Sequence, residues 1–240
     1  MNKIQLSIVL PAHNEAENLP GLIQDVTAYL ESLGWDYEII IVNDGSTDGT
    51  QNILEELQIK NSRIISVHHP KNRGYGAALR SGFSAATKEW LFFMDSDRQF
   101  DIKEISKLAN YIDKYDMVIG YRKDRQDHLI RKINAGIFNI AVNLLFGLWV
   151  RDIDCAFKLL RREIVEKAKL ESNGALISTE LLVRANKLGY KIKQIPVTHH
   201  PRLSGQSSGG NIKVILRAVK EILLFRLTGR TISGPKQNLA

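Results

Sequence analysis

Short apolar runs recur through the first half of the chain, and helix-length stretches fill the gaps between them. Residues 4–10, 38–42, 64–67, 90–94 and 117–120 read as strands, while residues 14–33, 74–86 and 102–113 carry helical periodicity. A further helix opens after the turn Asp44-Gly45-Ser46-Thr47-Asp48-Gly49. Apolar runs of this kind are expected inside a sheet covered on both faces. Strands alternating with helices are joined by right-handed crossovers, which gives a mainly parallel α/β sheet flanked by helices. Pro11 closes the first run and Gly34 ends the first helix. Asn14 is the expected N-cap of that helix, with Glu15 and Glu17 in its first turn. The second half of the chain is less regular.

In such a sheet, ligands bind beyond the carboxyl ends of the strands. Trp90-Leu91-Phe92-Phe93-Met94 runs directly into Asp95-Ser96-Asp97-Arg98-Gln99. Two carboxylates one residue apart repel each other, so a cation is their natural companion. Carboxylates with an amide oxygen are hard ligands suited to Mg²⁺ or Mn²⁺, which keep waters and take further oxygens from a substrate diphosphate. Asp95, Asp97 and Gln99 are the candidate metal ligands. An isolated Asp-x-Asp is more often a solvated acidic loop; the strand before this one and the neighbouring turns reverse that reading.

Two more turns share this edge. Val42-Asn43-Asp44-Gly45-Ser46 places Asp44 at the end of the second strand. It either accepts from a ring N–H of a nucleobase or caps the next helix, a role that Ser46 also fits. Pro11-Ala12-His13-Asn14-Glu15 lies beside it, so Glu15 and Asp44 are placed to flank one nucleoside. The turn Asn72-Arg73-Gly74-Tyr75-Gly76-Ala77-Ala78-Leu79 is glycine-rich and opens a helix. It lacks the Lys-Ser/Thr ending of a Walker loop and the third glycine of a dinucleotide fingerprint. Close packing of helix on sheet is an adequate account of its glycines.

The 240 residues, 44% of them hydrophobic, suffice for one large domain with a substantial core. The single Cys155 excludes an intramolecular disulfide framework and suits a reducing compartment. No signal-peptide pattern precedes the first strand. A net charge of +7 favours anions: nucleotide phosphates, lipid headgroups or nucleic acid. No helix-turn-helix, zinc-finger or aromatic-basic signature accompanies it, so nucleic acid is not an expected partner.

The motifs Pro11…Asn14-Glu15, the run from Val42 to Thr50, Asn72-Arg73-Gly74…Gly82 and Asp95-Ser96-Asp97-Arg98-Gln99 together resemble family 2 glycosyltransferases of the GT-A fold. Their order and spacing match over roughly the first 125 residues. Gly120-Tyr121-Arg122, the run from Asp152 to Lys158 and the run from His200 to Ser207 resemble the dolichol-phosphate mannose synthase branch, which includes polyprenyl-phosphate glycosyltransferases. The resemblance implies that Pro11, His13, Glu15, Val42 and Asp44 hold the nucleotide. It implies that Asp95, Ser96 and Asp97 face the sugar-diphosphate, with Gln99 a further ligand of the metal. Arg122 and Arg131 would bind the acceptor phosphate, forming the catalytic group with Asp95 and Asp97. Arg202 would contact the donor diphosphate. Three positions depart from the pattern: His13 where Tyr is common, Ala156 where Gly is usual, and Ala135 in place of a phosphate-binding Ser.

A hydroxyl acceptor needs a general base, whereas a phosphate acceptor is already ionised. Many relatives that glycosylate hydroxyls carry a Glu-Asp pair; here Ser178-Thr179-Glu180-Leu181-Leu182 has no Asp after Glu180. Glu180 is read first as a capping or ion-paired helix residue. Residues 133–150 carry no charge over 18 positions, yet contain Asn134, Asn139, Asn143, Gly136 and Gly147. An interfacial helix fits better than a membrane span, with a core helix as the alternative. Lys123, Arg125, Arg131 and Lys132 precede it and suit anionic headgroups.

The expected organisation is a GT-A catalytic domain over residues 1–210, divided near residue 122 into nucleotide-sugar and acceptor halves. An amphipathic helix over 211–230 and a disordered tail over 231–240 follow. The expected activity is inverting, metal-dependent transfer of a mannose- or glucose-type hexose from a GDP- or UDP-linked donor to a polyprenyl or dolichyl phosphate. The enzyme would sit peripherally on the cytoplasmic face of a membrane, with a separate membrane protein as a partner. The alternatives are transfer to a polysaccharide or glycan hydroxyl, and a non-catalytic nucleotide-sugar-binding regulator.

Overall fold

The computed structural model describes residues 3–123, 129–201 and 221–229, with the backbone alone at 129–134. Seven strands form one sheet in the order β3-β2-β1-β4-β6-β5-β7. The strands are β1 (Gln5–Ala12), β2 (Asp36–Asp44), β3 (Ile64–His69), β4 (Trp90–Met94), β5 (Met117–Arg122), β6 (Phe157–Arg161) and β7 (Ile192–Val197). All pair in parallel except β6, which runs antiparallel between β4 and β5. The expected α/β sheet is therefore found, with one reversed strand. Its middle is fully buried: Ile8, Val9, Ile39, Ile40, Ile41, Phe92 and Phe93 expose nothing. Burying such side chains contributes roughly 1.5–3 kcal/mol each before the entropy of ordering them is subtracted.

The helices are α1 (Leu19–Ser32), α2 (Thr50–Lys60), α3 (Tyr75–Ala85), α4 (Ile105–Ala109), α5 (Leu129–Phe146), α6 (Arg162–Ala168) and α7 (Ile177–Lys187). Helix α1 starts later than the periodicity predicts. Asn14 is in the left-handed region (φ 58°) and cannot be an N-cap. Its Oδ1 accepts from Thr47 N at 2.8 Å and its N–H donates to Ser46 Oγ at 3.0 Å, tying together the turns after β1 and β2. Pro20 sets the start of α1, where its missing N–H is harmless. The helix expected over 102–113 is shorter: a 3₁₀ turn, Ile102–Glu104, leads into α4, and i→i−3 bonds from Tyr111 and Ile112 replace its last turn. Helix α3 lies on β1 and β2 through Gly82, where a Cβ would meet Val9 Cγ1 at 2.3 Å. The helix-on-sheet account of these glycines holds there. At Gly76 the close neighbour is instead a loop, with Ser172 O only 2.5 Å from where a Cβ would stand.

Strand order reverses at β1, which has β2 on one side and β4 on the other. This is the point at which an open α/β sheet forms a crevice at its carboxyl edge. The turns after β1, β2 and β4 all reach that edge.

Candidate active site

Strand β4 delivers Asp95 and Asp97 to the crevice. Ser96 points the other way and donates to Pro11 O at 2.9 Å, fastening the loop to the end of β1. Asp97 Oδ1 accepts from Gln99 N at 3.1 Å, and Arg98 takes the left-handed turn between them (φ 60°). Gln99 is braced from a third direction: its Nε2 donates to His200 O at 3.0 Å, and its carbonyl accepts from His200 N at 2.9 Å. With Nε2 so occupied, Oε1 is the atom left for a ligand. Burial and the charge of Asp97 push the Asp95 carboxyl up to about 7, while Tyr75's hydroxyl, Arg122 and Lys158 pull it down. The two carboxylates thus confront each other in a partly buried site, which is the condition a divalent cation relieves. Among the described residues no three His, Cys, Asp or Glu side chains gather to hold a metal. Two carboxylates and an amide oxygen fit an ion that completes its shell with water and phosphate oxygens.

Beneath this pair lies a lysine that the sequence gives no reason to expect. Lys158 stands in β6 opposite Phe93 and exposes nothing. Its ammonium donates to the carbonyls of Ile153 and Cys155 and sits 5.4 Å from the Phe93 ring centroid. Burial lowers its pKa. Cys155, also buried, is pushed up to about 12, chiefly by desolvation, and is a thiol.

The nucleotide side is more internally bonded than the sequence indicates. Asp44 is 4% exposed. Its Oδ1 accepts from His69 Nδ1 at 2.6 Å and Arg73 N at 2.9 Å, and its Oδ2 accepts from Gly74 N at 2.8 Å. The carboxylate therefore anchors the loop after β3 and does not cap α2; one lone pair of Oδ2 is left for a base. His69, in register with Asp44, passes the chain on to Ser81 Oγ at 2.8 Å. His69 is not among the residues that the motifs single out, and its place beside Asp44 appears only in the register of β2 with β3. The exposed His13 donates from Nδ1 to Asp44 O at 2.9 Å, since a carbonyl only accepts, which fixes its ring. Glu15 is buried and accepts from Asn18 Nδ2 at 2.6 Å. Val42 is a fully buried core side chain, so a nucleotide meets its backbone alone.

At the end of β5, Arg122 is held by Asp152 in a bidentate pair, with Nε and Nη2 each 2.7 Å from the carboxylate. The two side chains are only 9% and 7% exposed. Burial works against the guanidinium, but Asp152 outweighs it and raises its pKa. A phosphate would therefore meet Nη1, the nitrogen not engaged by Asp152. The side chain of Arg131 and all of Arg202 lie outside the described residues. Glu180, fully buried, accepts from the N–H groups of Glu171 and Ser172 at 2.8–3.1 Å and pairs with Arg184 at 2.7 Å. Its reading as a structural carboxylate is the one the geometry matches.

A mainly parallel sheet with an Asp-Ser-Asp turn at its switch point defines a GT-A-type fold, the class of nucleotide-sugar glycosyltransferases. The family model for glycosyl transferase family 2 matches residues 7–168, and the chain belongs to that family. The fold is similar to glucosyl-3-phosphoglycerate synthase from Mycobacterium tuberculosis in complex with phosphoglyceric acid. The TM-score is 0.72 at 22% identity, covering 93% of this chain and 80% of that one. The same enzyme with Mg²⁺ and UDP gives 0.72 at 21% identity over 93% and 79% of the two chains. With Mn²⁺, UDP-glucose and phosphoglyceric acid it gives 0.69 at 22% identity, again over 93% and 79%.

Proposed function

We propose that this glycosyltransferase moves a hexose, with inversion, from a nucleotide sugar to a polyprenyl or dolichyl phosphate at a membrane surface. The observation that carries the lipid acceptor is an apolar face on α5, the helix that follows the Arg122 strand. Ile137, Ile140 and Leu144, spaced by one and two turns, are 62%, 62% and 74% exposed. Trp149, just past the end of α5, is 78% exposed, and Leu227 in the helical segment 221–228 is 82% exposed. The two segments meet where Phe146 and Phe225 stack at 5.5 Å. Buried positions such as Val142 hold the opposite side of α5 on the domain. Exposed apolar surface of this extent fits a bilayer interface, where Trp is at home. No described helix is long and apolar enough to cross a membrane.

Asp95, Asp97 and Gln99 would hold Mg²⁺ or Mn²⁺, whose charge offsets the negative charge growing on the leaving nucleoside diphosphate. Asp44, His13, Glu15, the Pro11 turn and the Val42 and Ser96 backbones would enclose the nucleotide, with Arg202 on the diphosphate. Arg122 and Arg131 would orient the acceptor phosphate, whose ionised oxygen needs no base. The engagement of Glu180 by two backbone N–H groups and Arg184 supports that reading over a hydroxyl acceptor. A second reading is a small soluble acceptor bearing phosphate, favoured by the phosphoglyceric acid in the similar structures. A transfer screen with GDP-mannose, UDP-glucose and UDP-N-acetylglucosamine, each with a short polyprenyl phosphate or phosphoglycerate, tests both. Turnover with phosphoglycerate alone would replace the first reading by the second.

A further inference from the structure

We propose that His69, backed by Ser81, is a positioning residue for the carboxylate of Asp44 and thereby sets which nucleobases the site accepts. This role rests on the nucleotide reading of Asp44 given above. Asp44 and His69 are register partners at the carboxyl ends of β2 and β3, and their side chains are only 5% and 4% exposed. Asp44 Oδ1 lies 2.6 Å from His69 Nδ1, and the other ring nitrogen, Nε2, lies 2.8 Å from Ser81 Oγ on α3. The Asp44 carboxylate already accepts from the N–H groups of Arg73 and Gly74, so the hydrogen between it and the ring belongs to Nδ1. The Ser81 hydroxyl gives a hydrogen to Nε2 when the ring is neutral and accepts one when the ring is charged. The Nδ1–H bond to Asp44 is therefore kept in both forms.

The turn that holds Asp44 is pressed against the loop that supplies the other two donors. Gly45 has φ 66°, and a Cβ there would stand 2.3 Å from Asn72 N. Filling the space beneath this turn would need only an apolar side chain at position 69, with the Arg73 and Gly74 N–H groups still holding Asp44. What the ring adds is a third donor, from β3, on Oδ1. Three of about four lone-pair sites of the carboxylate are then used. The remaining one, on Oδ2, is fixed in direction by bonds to both of its neighbours, the strand and the loop. A fixed acceptor selects a base that offers a ring N–H, as uracil and guanine do. Cytosine and adenine present a bare ring nitrogen at the corresponding position, and its lone pair opposes that of Asp44. Rigid support of Asp44 thus becomes discrimination between bases, which a loosely held carboxylate would lose by turning to find another donor.

Calorimetric titration of the full chain, in Mn²⁺, with UDP, GDP, CDP, ADP and inorganic pyrophosphate tests the role. His69→Ala is expected to weaken the better bound of UDP and GDP about tenfold and to narrow its preference over CDP and ADP. Pyrophosphate, which has no base, is expected to bind as in the wild type. His69→Asn, whose Nδ2 can stand where Nδ1 stands, is expected to restore affinity and preference to within about threefold. Ser81→Ala is expected to move both in the direction of His69→Ala. Pyrophosphate weakened as much as the nucleotides would make His69 a general support of the fold and overturn the role. An unchanged base preference in His69→Ala, or His69→Asn no better than His69→Ala, would also overturn it. Should His69→Ala fail to fold, Ser81→Ala decides: a narrowed preference supports the role and an unchanged one overturns it. A wild type that binds none of the four nucleotides would overturn the nucleotide reading and this role together, whereas the other failures overturn the role alone.

Discussion

Asp97 and Glu180 are both buried carboxylates, and their surroundings assign them opposite work. Asp97 confronts the charge of Asp95, a repulsion that a cation would relieve, whereas Glu180 is saturated by backbone N–H groups and Arg184. Asp97→Ala should cut transfer by at least ~10²-fold, because the ion's charge stabilisation is worth several kcal/mol. It should also abolish Mn²⁺ binding measured by calorimetry; retained binding would place the metal elsewhere. Glu180→Gln should instead lower stability by roughly 1–3 kcal/mol, since one amide group cannot accept from all those donors. Denaturant unfolding would show the loss, while kcat of the folded protein stays within a few-fold. The turn that carries Asp95, Asp97 and Gln99 to the carboxyl edge of the sheet was legible because it directly follows an apolar run. The bonds of Asp44 to Arg73, Gly74 and His69 were not, since they cross about thirty residues of chain. Nor was the saturation of Arg122 by Asp152.

At the scale of elements, the loop over residues 171–174 and the end of β7 are fastened to the site by a few identifiable contacts. Gly76 N and Ala77 N both donate to Asn173 O, at 2.9 and 3.2 Å, so this carbonyl occupies the amino end of α3. A Cβ at Gly76 would stand 2.5 Å from Ser172 O and 2.7 Å from Gly174 O. Gly76→Ala should therefore destabilise by about 1–3 kcal/mol through overpacking, read as a lower denaturation midpoint with unchanged slope. At the end of β7, Glu104 accepts from Thr198 N at 2.9 Å and from its hydroxyl at 2.8 Å. Burial pushes the Glu104 carboxyl up, but the bonds from Lys107 and Thr198 outweigh it and hold it below its ordinary value near 4.5. A carboxyl depressed in the fold contributes stability that is complete above the ordinary value and lost as pH falls through the depressed one. The protection of the Thr198 amide, its exchange measured against the intrinsic rate at each pH, should fall as pH drops through the depressed Glu104 value in the wild type, with no such acid step in Glu104→Gln. The early strands were readable from their apolar runs. Strand β6 was not, because Phe157-Lys158-Leu159-Leu160-Arg161 carries a fully buried lysine in its middle. Strand β7 was hidden by Lys193, Gln194 and Pro196, residues suited to a sheet edge.

Over the whole molecule, one half of the sheet supplies a crevice for a nucleotide sugar and the other supplies arginine and an exposed apolar helix. The parallel half follows from local alternation, which is why fold and family were visible in sequence. The direction of β6 depends on long-range pairing that no local pattern encodes. The exposed face of α5 likewise appears only once Val142 and its neighbours are seen to be turned inward. The two claims of the proposed function that most need testing are a lipid-linked phosphate acceptor and a metal held after β4. The most direct measurement follows labelled hexose from the accepted nucleotide sugar into organic-extractable product, using a short polyprenyl phosphate, with Mg²⁺ or Mn²⁺ and with chelator. The expected result is a lipid-soluble product released by mild acid, formed with metal and absent in chelator. Full transfer in chelator, or label found only on sugar hydroxyls or water-soluble acceptors, would contradict it.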